Sequence, residues 1–236
     1  VRRTLKFCGY KTLGDIHVGD WGTNLGMLID NYLTTGEASL VMDADMNDPA
    51  IMAKLVDDMA ERYPRAASAA KENPDVMDRA RATAVKLQNK EQPYYGLWEK
   101  IRKISIADME KNYTALGVHF DLWKGEADVH DYIAPMVDDL RGKGYAVESE
   151  GACVFPVAQN DVRKEFPPLI LYKRDGAVMY GTTDLATIVE RVKLYDPAKI
   201  VYIVDQRQNL HFEQVFRAAR KGGIANDSTE LTFAGF

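Results

Sequence analysis

Apolar residues recur along this chain in two rhythms, and the switches between them mark out the expected elements. Arg2 to Phe7 reads as the tail of a helix closed by Gly9, and Lys11 to Val18 as a short strand leading into the loop Gly19-Asp20-Trp21-Gly22. Asn24 is placed to cap a helix carrying Leu25, Leu28, Ile29 and Tyr32. From Asp48 the helical period takes over. Met52, Leu55, Val56 and Met59 fall on one face, and Asn73-Pro74 opens a second helix with Met77, Ala80, Ala84 and Leu87 along its apolar side. A longer pattern from Pro93 carries Leu97, Ile101, Ile104, Met109, Tyr113 and Leu116. Val129, Ile133, Met136, Val137 and Leu140 define one more helix, which stops near Gly142 and Gly144.

Strand signals then return. Gly151 to Val157 is a candidate strand, and Leu169–Tyr172 and Ala177–Tyr180 flank Asp175-Gly176, a hairpin signal. A helix follows on Leu185, Ile188, Val189 and Val192, ended by Asp196-Pro197. Ile200 to Val204 is continuously apolar and so reads as a strand buried on both faces. A helix with Leu210, Val215, Phe216 and Ala219 comes next, closed by Gly222-Gly223, and a strand is expected at Leu231. Strand, helix, strand, helix is the rhythm of a parallel α/β unit. The expected architecture is α/β, a doubly wound, mostly parallel sheet formed by residues 1–35 and 145–236. It is interrupted by a mainly helical insertion over 40–144.

Composition narrows the picture modestly. With 236 residues, 46% of them hydrophobic, the chain can bury one sizeable core or two modest ones. No apolar run approaches the roughly 20 residues needed to span a bilayer, and no membrane association is expected. Cys8 and Cys153 lack Cys-x-x-Cys spacing, so a reducing, cytoplasmic setting is the simplest expectation. His17, His119, His130 and His211 show no zinc-site spacing, and no metal ligand is assigned. A net charge of −5 gives no whole-chain footprint for nucleic acid.

The chemistry concentrates at two places where an apolar run stops and a helical pattern begins. They are Met179-Tyr180-Gly181-Thr182-Thr183-Asp184 and Asp205-Gln206-Arg207-Gln208-Asn209-Leu210-His211. Ligands of α/β sheets sit beyond the carboxyl ends of strands, where helix N-termini also point. Tyr180, Asp184 and Gln208 could share one such crevice. An anionic Asp beside a phenol and an amide suits a planar, many-donor cation such as guanidinium. Taken alone, Asp184 reads more readily as an acid in the opening turn of a helix, and Tyr180 as a packed aromatic.

In order along the chain stand His17-Val18-Gly19-Asp20-Trp21-Gly22-Thr23, Lys124-Gly125-Glu126 and the two segments above. This set resembles arginyl-tRNA synthetases, which are class I aminoacyl-tRNA synthetases, and the likeness runs from about Leu5 to the final residues. The resemblance implies a partial catalytic domain, residues 1–236, of an enzyme joining arginine to tRNA through an arginyl-adenylate made from ATP. Arginine, ATP with Mg²⁺ as its counter-ion, and tRNA are the implied partners, with tRNA needed in the activation step and a monomer as the family state. Tyr180 and Asp184 would contact the substrate guanidinium, with Glu126 as a second carboxylate. Contact on two edges would exclude lysine, a compact point charge. Gln208 would lie near the α-amino end of the substrate, and His211 on the ATP side. Gly19, Asp20, Trp21 and Gly22 would form a loop lining the active site, Trp21 packing its floor.

Three departures and a rival accompany that likeness. His17-Val18-Gly19-Asp20 looks like the His-Ile-Gly-His signature of class I enzymes but ends in Asp and runs into a different family motif. The true signature is expected before Val1, and the Lys-Met-Ser-Lys-Ser-type loop after Phe236. On that reading the chain is an excerpt without catalytic residues of its own, inactive alone. Family members commonly have Ser after the Gly-Glu pair, where this chain has Ala127. Lys86, Lys90, Lys100, Arg102 and Lys103 read as a mixed, solvated helix face. The rival is a non-catalytic arginine- or nucleotide-binding module on the same fold. A dinucleotide-dependent oxidoreductase fits poorly, because no Gly-x-Gly-x-x-Gly turn follows a strand.

Overall fold

A computed structural model describes residues 1–158, 166–174 and 176–236. The chain is mixed α/β, mostly helical with parallel strand pairs, and divides into two compact units, Val1–Gly125 and Glu126–Phe236.

The first unit begins with α1 (Arg2–Phe7), closed by Gly9 at φ +87°, and β1 (Asp15–Val18). Next come α2 (Thr23–Thr34), α3 (Ser39–Met42), α4 (Pro49–Glu72), α5 (Pro74–Gln88) and α6 (Tyr94–Ala115). The chain then returns as β2 (Leu122–Gly125), parallel to β1 from Asp15↔Leu122 to Val18↔Gly125. Hydropathy did not announce β2, because its four residues include a Lys and a Gly and only Gly125 is buried. Asp48 and Asn73 cap α4 and α5 through their side chains, each followed by proline at the tolerated first position. The expected cap at Asn24 is displaced: Gly22 is the N-cap of α2, and Asn24 lies inside the helix.

α2 packs against α4 and α5 around Met27, Ala66, Ala70 and Ala80. Gly26 permits the approach of α5, since a Cβ there would stand 2.2 Å from the Ala80 carbonyl oxygen. Beside it lies a polar cluster centred on Arg62, whose side chain is 7% exposed. The guanidinium donates to both oxygens of Asp58 at 3.0 Å, to Asn31 at 3.0 Å and to Glu37 at 2.8 Å. It also lies 4.2 Å over the Tyr32 ring, and the Tyr32 hydroxyl donates to Asp58. Arg62 holds the Asp58 and Glu37 carboxyls below the usual carboxylate range, and burial together with Asp58 pushes the Tyr32 phenol up.

The second unit opens with a 3₁₀ turn, Glu126–Val129, and α7 (His130–Gly142). β3 (Val147–Ser149), β4 (Ala152–Phe155) and β5 (Leu169–Tyr172) form an antiparallel sheet. Then α8 (Tyr180–Tyr195), β6 (Lys199–Val204), a 3₁₀ turn at Gln206–Gln208, α9 (Asn209–Lys221) and β7 (Glu230–Gly235) complete a β–α–β crossover, β6 and β7 being parallel. The core gathers Ile133, Leu140, Phe155, Leu171, Leu185, Ile188, Val215 and Ala219 from helices and sheets alike.

Two expectations change here. The second arm of the proposed hairpin is reduced to one bridge, Tyr172↔Val178, and Tyr180 already belongs to a helix. Asp175 lies outside the described residues, while Gly176 adopts φ +79°. β6 is not buried on both faces: Ile200 and Tyr202 are buried, whereas Ile203 is 52% exposed.

Candidate active site

The site is built on the starts of two helices, at the carboxyl end of β6. Tyr180 and Asp184 are the first and fifth residues of α8, one helical turn apart and therefore on one face. Asp184 lies beyond the first turn, so the simple account of an acid placed there for the helix dipole does not apply. The residues between them anchor the helix instead. The Thr182 hydroxyl donates to the Leu171 carbonyl of β5 at 2.7 Å, and Thr183 and Thr187 donate to carbonyls within α8. Gly181, Thr182 and Thr183 are buried, while Tyr180 is 57% exposed. The motif thus divides its labour: its middle holds the helix start in place and its ends present a phenol and a carboxylate.

The second helix start is organised by Asp205. Its carboxylate accepts from the Arg207 backbone N–H at 2.8 Å and from the Arg207 guanidinium at 2.9 and 2.6 Å. That pairing holds the Asp205 carboxyl below its ordinary range. The Gln206 N–H donates to the Phe236 carbonyl, tying the turn to the end of β7. Gln208 is left exposed as the N-cap residue of α9. Three positions on, His211 is buried, with Nε2 2.6 Å from Asp184 Oδ2 and its ring 4.5 Å from that of Tyr180.

Tyr180 and Asp184 therefore both meet His211, with Gln208 at the same helix start as that imidazole. Glu126, partly buried, opens the 3₁₀ turn that packs on α8. The link between Asp184 and His211 was not foreseen, since no periodicity relates residues 27 positions apart on separate helices.

The Gly19–Gly22 loop lies in the first unit and is framed by its own contacts. Asp20 is 3% exposed and accepts from Arg102 Nε at 2.6 Å, so Arg102 leaves the solvated face expected of it for an ion pair. Trp98 donates to the Asp20 carbonyl at 2.7 Å and packs edge-on against the buried Trp21, with centroids 5.1 Å apart. A Cβ on Gly125 would stand 2.5 Å from the Asp20 carboxylate, so the glycine before Glu126 makes room for that acid. Among the described residues no group of three or more His, Cys, Asp or Glu could hold a metal ion, and no helix is long and apolar enough to cross a membrane.

Comparison with known proteins agrees with these motifs. The family model "tRNA synthetases class I (R), catalytic domain" matches residues 1–236. The arginine–tRNA ligase of Alkaliphilus oremlandii is 41% identical over 238 residues, covering all of this chain and 40% of that protein. That of Maricaulis maris is 41% identical over 229 residues, covering 96% and 39%. The crystal structure of arginyl-tRNA synthetase from Plasmodium falciparum superposes with a TM-score of 0.77 at 25% identity, over 99% of this chain and 37% of that one. The Thermus thermophilus arginyl-tRNA synthetase shares the fold, with a TM-score of 0.65 at 15% identity over 99% of this chain and 43% of that one. The chain spans about 40% of the length of the curated relatives it matches. By motif, sequence and fold together, it belongs to the catalytic-domain family of class I arginyl-tRNA synthetases.

Proposed function

We propose that this chain supplies the arginine-selecting part of an arginine–tRNA ligase. The observation that carries this reading is the cluster at the two helix starts: a carboxylate held by an imidazole under a half-exposed phenol, with an acid-bearing turn packed on the same helix. Asp184 and Glu126 supply negative charge, Tyr180 a face and a hydroxyl, and Gln208 an amide for the α-amino end. Guanidinium is planar, permanently charged and presents five donors, so it gains from two carboxylates in a way that an ammonium does not. Each charge-assisted bond contributes on the order of 1.5–3 kcal/mol.

These residues bind and orient; they do not act as nucleophiles. With arginine anchored, its α-carboxylate oxygen attacks the α-phosphorus of Mg²⁺-bound ATP and pyrophosphate leaves. A terminal ribose hydroxyl of tRNA then attacks the activated carbonyl, and AMP leaves. Rate in such a scheme comes from proximity and from stabilising charge on the phosphates. The setting would be cytoplasmic, the protein acting as a monomer.

The test is aminoacylation by the full-length protein, with calorimetry for arginine, lysine and ATP. Arginine transfer to tRNA with rejection of lysine is expected. Arginine binding without aminoacyl transfer would favour a non-catalytic binding module.

A further inference from the structure

The resemblance implies an ATP-side contact for His211, but its surroundings argue for a different task. The ring sits at the third position of α9 and is buried. Its Nε2 lies 2.6 Å from Asp184 Oδ2, within a pair whose side chains are only 10% and 14% exposed. The Tyr180 ring packs against it at 4.5 Å and 47°, and the Phe212 ring meets it edge-on at 4.9 Å. A ring gripped on two sides cannot rotate without disturbing both neighbours. Its nitrogen therefore defines where one oxygen of the Asp184 carboxylate stands.

We infer that His211 is a positioning residue for arginine recognition, fixing the orientation of the Asp184 carboxylate and supporting the Tyr180 ring from α9. The inference rests on the assignment of Asp184 to the substrate guanidinium. A carboxylate that must meet a planar fork gains affinity only if it is already oriented, because ordering it during binding would be charged against the complex. Through this bond α9 would sense the geometry of a site whose charge is carried by α8. That also accounts for a buried imidazole beside an otherwise polar surface turn.

The experiment uses the full-length protein and measures the Michaelis constants for arginine and ATP separately. His211→Phe keeps a flat ring and removes the donor; His211→Gln places an amide N–H near the position of Nε2. His211→Phe is expected to raise KM for arginine about tenfold, the loss of one charge-assisted hydrogen bond, with KM for ATP within about twofold. His211→Gln should recover much of the loss. In an Asp184→Asn background, His211→Phe should add little, because the carboxylate it would orient is gone. A selective rise in KM for ATP would overturn the inference, as would full additivity of the two substitutions. If Asp184→Asn alone leaves KM for arginine unchanged, the guanidinium assignment itself fails. A thermal melt of each variant distinguishes these outcomes from unfolding. Should His211→Phe not fold, His211→Leu takes its place in the same cycle: a selective rise in KM for arginine that largely disappears in the Asp184→Asn background is expected, and an unchanged KM for arginine would overturn the inference.

Discussion

Asp20 and Asp184 are both acids at the end of an apolar run, yet their neighbours give them different tasks. Asp20 is almost wholly buried, bound to Arg102 and pressed against Gly125. Asp184 keeps some access to solvent and stands beside an exposed phenol. Replacing Gly125 with Ala should force the Asp20 carboxylate out of its place and loosen its bond to Arg102. A lowered melting temperature for Gly125→Ala, with little further loss when the same change is made in an Asp20→Ala background, is the expected result of a double-mutant cycle. Equal losses in the two backgrounds would show that the glycine serves another purpose. At this scale the sequence singled out Tyr180, Asp184 and His211, which the fold brings together, because the motifs are dense in donors and acceptors. It did not reveal which side chain holds which, because the Asp184–His211 and Asp20–Arg102 pairs join separate elements across 27 and 82 positions.

Helices were legible where hydrophobic spacing and caps agreed, as in α4 and α5 with Asp48-Pro49 and Asn73-Pro74. Short strands were less legible. β2 offers four residues, too few for a period to show, and the second arm of the expected hairpin ends because Tyr180 is recruited to α8. The continuous apolar run of β6 suggested burial on both faces, but only the side of Ile200 and Tyr202 is buried, and the alternate residue Ile203 is half exposed.

Packing between elements yields two stability predictions. Gly26→Ala gains helix propensity but drives a methyl into the backbone of α5, and the clash should win, with a net loss of about 2 kcal/mol in urea unfolding. A neutral or stabilising result would mean that α5 can retreat. Arg62→Met should cost about 3 kcal/mol, the low end for breaking a buried pair, since Asp58 and Glu37 retain contact with water. The folded state holds Asp58 below its ordinary pKa, so its contribution is fully present above an unfolded-chain value of about 3.9 and fades as pH falls further. Unfolding midpoints measured from pH 7 down to about 3 should therefore decline less steeply in Arg62→Met than in the parent chain.

At the scale of the whole molecule, a net charge of −5 gives no whole-chain footprint for nucleic acid, and family membership rests on local motifs and fold rather than on bulk charge. Neither His-Ile-Gly-His nor Lys-Met-Ser-Lys-Ser occurs in its 236 residues. On its own it should thus show no arginine-dependent ATP–pyrophosphate exchange even with tRNA present; measurable exchange would mean that the phosphate chemistry uses residues found here. The central claim is that Asp184 meets the guanidinium of arginine. Its most direct test is the Michaelis constant for arginine in full-length Asp184→Ala, measured beside that for ATP. Loss of a partner from a desolvated charge pair predicts a rise of at least about thirtyfold for arginine, with ATP nearly unchanged. A near-normal constant for arginine would contradict it.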